Sequence, residues 1–237
     1  MVEDLGGGRL TAGVVRIGAT VRRPASSASA FTAALLTHLA AAGFDGAPRY
    51  LGRDEAGRDI LTFLPGEVPA KWRAFDNGQV AAAGRLLRRL HESTRGLVQN
   101  SVVCHHDAGP NNTVFRDGRP VAFIDFDFAA VGDPLEDLGY MAWSWCISSK
   151  PSRGDAASQA RQVRVLADAY GLSAGQRRAL PEAIDARLVR NKRFWSERPP
   201  AVISGPAADE VLAWTRREKA FLREFRAEFE AALSRQT

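Results

Sequence analysis

The chain has 237 residues, 45% of them hydrophobic, enough for a sizeable core in one large domain or in two lobes sharing a cleft. Its apolar runs stop well short of the roughly 20 residues that a helix needs to cross a bilayer, and the N-terminal MVEDLGGGRL has no basic region followed by an apolar stretch, so a cytoplasmic protein with no membrane attachment is expected. The net charge of +5 invites a nucleic-acid reading, but segments such as WTRREKAFLREFRAEFEAALSR alternate Arg with Glu and apolar residues at helical intervals, as solvated amphipathic faces do, and no nucleic-acid partner is expected.

In chain order, AGVVRIG, ATVRR, RYLGRD and RDILTFL are β-rich runs separated by turn residues, with DEAG closing a hairpin between the last two. Between the second and third runs, SASAFTAALLTHLAAAGF predicts a helix with Phe31, Leu35, Leu36 and Leu39 on one face and Gly43 as its stop. LPGEVP then breaks the pattern, which puts a lobe boundary near Gly66, and residues 76–94 are again helical. Short strands around two turns follow, then helix almost to the end. The expected architecture is α+β: a small antiparallel-sheet lobe over 1–66 and a mainly helical lobe over 67–237. Cys104 and Cys146 belong to no CxxC pair or zinc-type cluster and are expected as buried thiols.

The chemistry concentrates in VCHHDAGPNNTVFRDGRPVAFIDFDFAAVGDPLEDLG, Val103 to Gly139. Asp107 and Asn112 flank Gly109-Pro110, a turn-forming pair that keeps both polar side chains on one loop. NTVFRDGRPVAFIDFD predicts a hairpin with Asp117-Gly118 at its tip, which returns Asp125 toward Asn112. A carboxylate and an amide oxygen are hard donors suited to magnesium, which takes few protein ligands beside substrate phosphates. Asp107, not needed for the metal, is free to orient an attacking hydroxyl. A metallohydrolase built on His105, His106 and Asp107 is the weaker alternative, because adjacent residues of an extended chain point to opposite sides.

These residues carry a resemblance. The D-x-x-x-x-N loop followed by Ile124-Asp125-Phe126 resembles the catalytic and metal-binding segments of the protein-kinase fold. More closely, CHHDAGPNNTVF…AFIDFDFAAVGDPLEDLG is similar to the aminoglycoside phosphotransferase and choline kinase-like family, in which H-G-D-x-x-x-x-N is followed by I-D-W/F and G-D-P-x-x-D-L-A. The resemblance implies a two-lobed protein-kinase-like fold, with Asp107 the catalytic base, Asn112 and Asp125 the magnesium ligands and Asp137 a buried acceptor bracing the catalytic loop. His105 matches the family histidine that supports this loop, and His106 stands where the family has glycine.

The same resemblance implies a nucleotide end to the cleft. Gly6, Gly7 and Gly8 would cover the phosphates, where absent Cβ atoms let backbone N–H groups approach oxygen. Arg22 would meet the α/β-phosphates, with Arg23 on the opposite face of the strand, and the following helix carries no Glu to pair with that cation. Adenine would lie against the backbone of Thr62, Phe63 and Leu64, since Pro65 has no N–H to offer. The implied activity is transfer of the γ-phosphate of ATP, or of GTP, with Mg2+, to a hydroxyl of a small molecule such as an aminoglycoside-like antibiotic or a metabolite. The alternative is a catalytically weak or inactive nucleotide-binding protein of the immunity or antibiotic-resistance type, with the same fold.

Overall fold

The β-rich N-terminal runs pair into one antiparallel sheet in the order β1-β2-β3-β5-β4, where β1 is Val2–Asp4, β2 Val15–Ile17, β3 Thr20–Arg23, β4 Tyr50–Arg53 and β5 Asp59–Thr62. The computed structural model describes residues 2–5, 12–70, 73–99, 101–197 and 206–235. Strand β1 adds to the four strands expected from the sequence. The β4/β5 turn runs through Asp54, whose side chain accepts from the N–H groups of Ala56 and Arg58, the local bonding that makes Asp a turn former. Helix α1 (Ser29–Ala41) crosses between β3 and β4 and ends before Gly43, whose φ of 74° is the left-handed conformation of a helix stop. Leu35, Leu36 and Leu39 are buried as expected, whereas Phe31 is 41% exposed and the first turn of the buried face is supplied by the polar Ser29 and Thr32.

After β5, residues 63–66 leave the sheet and the chain pairs at once with the second half of the molecule. Glu67 and Phe115 exchange both backbone bonds, N–H to O at 2.9 and 2.7 Å. Gly66 has φ 150°, and a Cβ there would stand 2.4 Å from the Phe115 carbonyl oxygen, so this contact between connector and hairpin needs a glycine.

Helix α2 (Asn77–Thr94) begins with a capping box, in which the Asp76 side chain accepts from Gln79 N–H and the Gln79 side chain from Asp76 N–H. Strand β6 (Val102–Cys104) pairs with β9 (Ala130–Gly132), and β7 (Thr113–Arg116) with β8 (Arg119–Phe123). The β7/β8 turn places both central residues at positive φ, Asp117 at 48° and Gly118 at 72°, as a type I′ hairpin requires. Helix α3 (Pro134–Met141) opens with a second capping box, from Asp133 and Glu136, and runs into a π-helical turn at Ala142–Cys146. Then come α4 (Ala156–Tyr170), α5 (Ala174–Ser196), α6 (Pro206–Glu224) and α7 (Arg226–Ser234).

The core of this second half centres on Tyr140, Trp143, Trp145, Leu138, Leu87 and Phe229, all at most 1% exposed. Cys104 and Cys146 are buried free thiols, as expected. No helix among the described residues is long and apolar enough to cross a membrane.

Helix α3 lies unusually close to α5. A Cβ on Gly139 would stand 2.6 Å from the backbone oxygen of Ala183, and a backbone carbonyl inside a helix cannot step aside cheaply. Gly139→Ala is therefore expected to destabilise the fold by about 1–3 kcal/mol despite alanine's better helix propensity. A denaturant midpoint equal to or above that of the native chain would show that the two helices separate freely.

Candidate active site

The loop between β6 and β7 is held from below by Asp137, the fourth residue of α3. Both of its carboxylate oxygens accept catalytic-loop amides at 2.6 Å, Oδ2 from His105 N–H and Oδ1 from His106 N–H. Oδ2 also meets Nε2 of His91 at 3.0 Å, and Nδ1 of His91 meets the Tyr170 hydroxyl at 2.8 Å. Burial alone would raise the Asp137 pKa, but the hydrogen bond and charge of His91, with His105 and His106, hold it down to about 2.

The ligand atoms of His91, Cys104 and Asp137 lie within 4.8 Å of one another. Their bonding is internal, however. Burial pushes the Cys104 thiol far up, against metal-binding thiolate formation, and the Asp137 oxygens are filled by the loop. His91 was absent from the residues expected from sequence, although a histidine on the apolar stripe Val80, Ala83, Leu87, Leu90 of α2 is the kind of misplaced polar residue that marks a buried network.

On the upper side of the loop, Asn112 Nδ2 donates to Asp107 Oδ2 at 2.8 Å and to Asp107 O at 3.0 Å, which fixes the carboxylate. Asn112 Oδ1 accepts from Asn111 Nδ2 at 3.2 Å and retains lone-pair capacity. The hairpin returns as expected: Ile124 N–H donates to Asn112 O at 2.9 Å, which brings Asp125 beside Asn112. His105 ties the two segments together, its Nδ1 accepting from Asp107 N–H at 3.3 Å and its Nε2 donating to Ile124 O at 3.1 Å. An imidazole with its proton on Nε2 and its lone pair on Nδ1 satisfies both bonds. Asp107, Asn112, Asp125 and His105 therefore share one locus.

Asp125 adopts φ 63°, ψ 67°, a left-handed conformation that aspartate tolerates better than most residues. Its side chain is 45% exposed at the rim of the cleft. Burial of the remainder raises its pKa against the pull of Arg23, and the charges of Asp127 and Asp107 add to the rise. A carboxylate crowded by two others is a site short of positive charge, and with Asn112 on the adjoining loop, bonded through its backbone to Ile124, the donor set fits magnesium.

Arg22 does not face this cleft. It bonds Thr20 Oγ1 at 2.8 Å and lies 3.8 Å from Asp54 at the β4/β5 turn. Arg23 faces the cleft instead, pairing with Asp125 at 3.4 Å and more closely with Asp127. The two arginines stand beside Ile60 and Asp59 of β5, and this register sets their faces. Helix α1 has no Glu, and the partner of Arg23 comes from Asp127, the second carboxylate of Ile-Asp-Phe-Asp. Of the connector residues, Thr62 N–H donates to Arg49 O and Phe63 N–H to Ala19 O. Gly6, Gly7 and Gly8 lie outside the described residues.

His106 has φ 61° in the left-handed region. Its Nδ1 meets Phe128 O at 3.0 Å, and its Nε2 lies 3.3 Å from Glu136, which also pairs with Arg190. Two further residues that the sequence reading missed border Asp107. The buried Tyr140 hydroxyl hydrogen-bonds its carboxylate, and burial followed by this carboxylate's charge pushes the phenol well up. Arg187 of α5 lies 4.5 Å over the Tyr140 ring and donates to His106 O at 3.1 Å.

Residues 93–181 match the model of the APH phosphotransferase enzyme family. Over 97% of its length the chain is 31% identical to the trifolitoxin immunity protein of Rhizobium leguminosarum bv. trifolii, covering 97% of that protein. Its fold is similar to that of a choline/ethanolamine kinase family protein from Mesorhizobium loti, with a TM-score of 0.67, 17% identity, and coverage of 99% of this chain and 92% of the other. Similar too are aminoglycoside 2'-phosphotransferase-IIIa in its GDP complex, TM-score 0.64, 16% identical over 93% and 92%, and a macrolide 2'-phosphotransferase from Brachybacterium faecium, TM-score 0.60, 18% identical over 91% of each.

Proposed function

The chain belongs to the aminoglycoside phosphotransferase family, and on that premise we propose that it transfers the γ-phosphate of ATP to a hydroxyl of a small molecule, with Asp107 as the base. The observation that carries this reading is the bond from Asn112 Nδ2 to Asp107 Oδ2, on a loop joined through His105 to the carbonyl directly before Asp125. Asn112 orients Asp107 at Oδ2, which sets the carboxylate to take the proton of an acceptor hydroxyl. In the transfer, the acceptor oxygen bonds to the γ-phosphorus, the bond from that phosphorus to the bridging oxygen breaks, the hydroxyl proton passes to Asp107, and ADP leaves.

Magnesium, held by Asn112 Oδ1 and Asp125 with Asp127 nearby, would neutralise phosphate charge. Arg23 would leave its carboxylate partners to meet the phosphates, a task its forked donors suit. The hinge between the lobes, 1–66 and 67–237, is assigned to residues 63–66, and adenine to the connector backbone at Thr62, Phe63 and Leu64.

The test is ATP consumption and product mass over a panel of hydroxylated antibiotics and metabolites. Turnover is expected with at least one acceptor, and chelation of magnesium by EDTA is expected to abolish it, with restoration on adding the metal back. Turnover that persists in EDTA would overturn the metal assignment.

A second reading has its own support. His106 holds a conformation suited to glycine, Arg23 is locked onto the carboxylates, and the relative at 31% identity is named an immunity protein. A nucleotide-binding immunity-type protein without turnover would bind ATP and magnesium in calorimetry yet modify nothing in the panel.

A further inference from the structure

Arg187 is a part-buried charged group with little to neutralise it. It forms no ion pair among the described residues, and its Nε–H is buried without an acceptor. What holds it is the face of Tyr140 at 4.5 Å and one carbonyl, His106 O, at 3.1 Å. Burial lowers its pKa, with Tyr140 and Asp107 opposing the shift, but a guanidinium this basic stays charged at any physiological pH. A part-buried cation with a spare donor is an arrangement suited to an anion.

The neighbouring carboxylates do not compete for it. Helices α3 and α5 carry four, and each is engaged: Glu136 with Arg190, Asp137 with the catalytic-loop amides, Glu182 with Arg226 and Asp185 with Lys219. Among the described residues of α3 and α5, a polycationic acceptor therefore meets no unengaged carboxylate, whereas an anionic one meets Arg187. Tyr140 couples the two places, since its ring lies under Arg187 and its hydroxyl bonds the Asp107 carboxylate.

We propose that Arg187 is the acceptor-recognition residue and that it binds an oxyanion, a carboxylate or phosphate group, carried by the hydroxyl compound that Asp107 activates. The inference rests on the reading of Asp107 as the base, and it replaces a cationic acceptor with an anionic one. The oxyanion could also be a nucleotide phosphate. Geometry favours the acceptor, because Arg187 contacts the loop at His106 from α5 while the phosphate-facing cation of the sheet, Arg23, approaches at Asp125 and Asp127.

Glycerate, glycerol and ethanolamine test this as small hydroxyl compounds that are anionic, neutral and cationic. In the full chain labelled with 15N-arginine, the Arg187 Nε signal is identified by its loss in Arg187→Lys. It is expected to shift saturably with glycerate and not with the other two. MgATP affinity in Arg187→Gln is expected to stay within twofold of native, and the best acceptor of a three-charge panel is expected to be anionic, with its KM raised at least tenfold by that variant and kcat changed less.

A native-like KM in Arg187→Gln, an equal response to all three probes, or a drop in MgATP affinity that assigns the anion to the nucleotide would each overturn the proposal. A glycerate-selective shift without turnover of any acceptor would leave the anion site standing and reject the transferase reading. Turnover confined to cationic acceptors would do the reverse.

Discussion

Asp107→Asn is expected to lower kcat by on the order of a hundred- to ten-thousand-fold, the contribution typical of a positioned general base, while leaving nucleotide affinity within about threefold and the melting temperature within a few degrees of native. The substitution keeps the volume and the planar shape of the side chain. Its amide oxygen still accepts from Asn112 Nδ2, so the loop has no reason to move. What it loses is the ability to take a proton and the charge that orients a hydroxyl. The Tyr140 hydroxyl, which bonds this carboxylate, makes the contrast sharper, because it too can donate to an amide oxygen and hold the variant in place. Steady-state turnover with the best acceptor, measured beside a thermal melt, separates chemistry from folding. Turnover unchanged in a folded Asp107→Asn would remove this residue from the reaction.

How much of this site was readable in advance depended on how local its causes are. The loop from Asp107 to Asn112 and the hairpin beyond it follow from turn chemistry inside a few residues, Gly109-Pro110 and Asp117-Gly118, and there the expected juxtaposition with Asp125 is what the backbone makes. The choice between Arg22 and Arg23 is of another kind. In TVRR the alternation of faces is plain, but which face meets the cleft is fixed by pairing with β5, nearly 40 residues further on, where Asp59 and Ile60 set the register. Helix α1 lacks a Glu to pair with this cation, and the counter-charge comes instead from Asp127, more than 100 residues away, where no local pattern points to it. Tyr140 and Arg187 were invisible for a similar reason. Their meeting depends on how closely α3 approaches α5, and the only trace of that in the sequence is a glycine in mid-helix, Gly139.

The largest stability effect should come from Asp137, which the sequence placed correctly as a buried acceptor. Asp137→Ala strands the N–H groups of His105 and His106 and the Nε2 of His91, three polar groups that all depend on this one buried carboxylate. Removing one member of such a buried charged network costs about 3–5 kcal/mol, which for a chain of this size lowers the melting temperature by roughly 10 °C. Because the loop it braces carries Asp107, turnover should fall in parallel.

The pH dependence gives an independent check. The folded-state pKa of about 2 lies below the ordinary value of 3.8, so the carboxylate contributes stability that is fully present above about pH 4 and is lost as pH falls through 3.8 toward 2. The gap corresponds to about 2 kcal/mol. Urea midpoints taken from pH 5 down to pH 2 should therefore converge: the difference between the native chain and Asp137→Asn, which keeps the side-chain volume, is expected to shrink by about that amount across the window. A difference that stays constant with pH, or an Asp137→Asn as stable as the native chain at neutral pH, would mean that the catalytic loop is held by its packing rather than by this carboxylate.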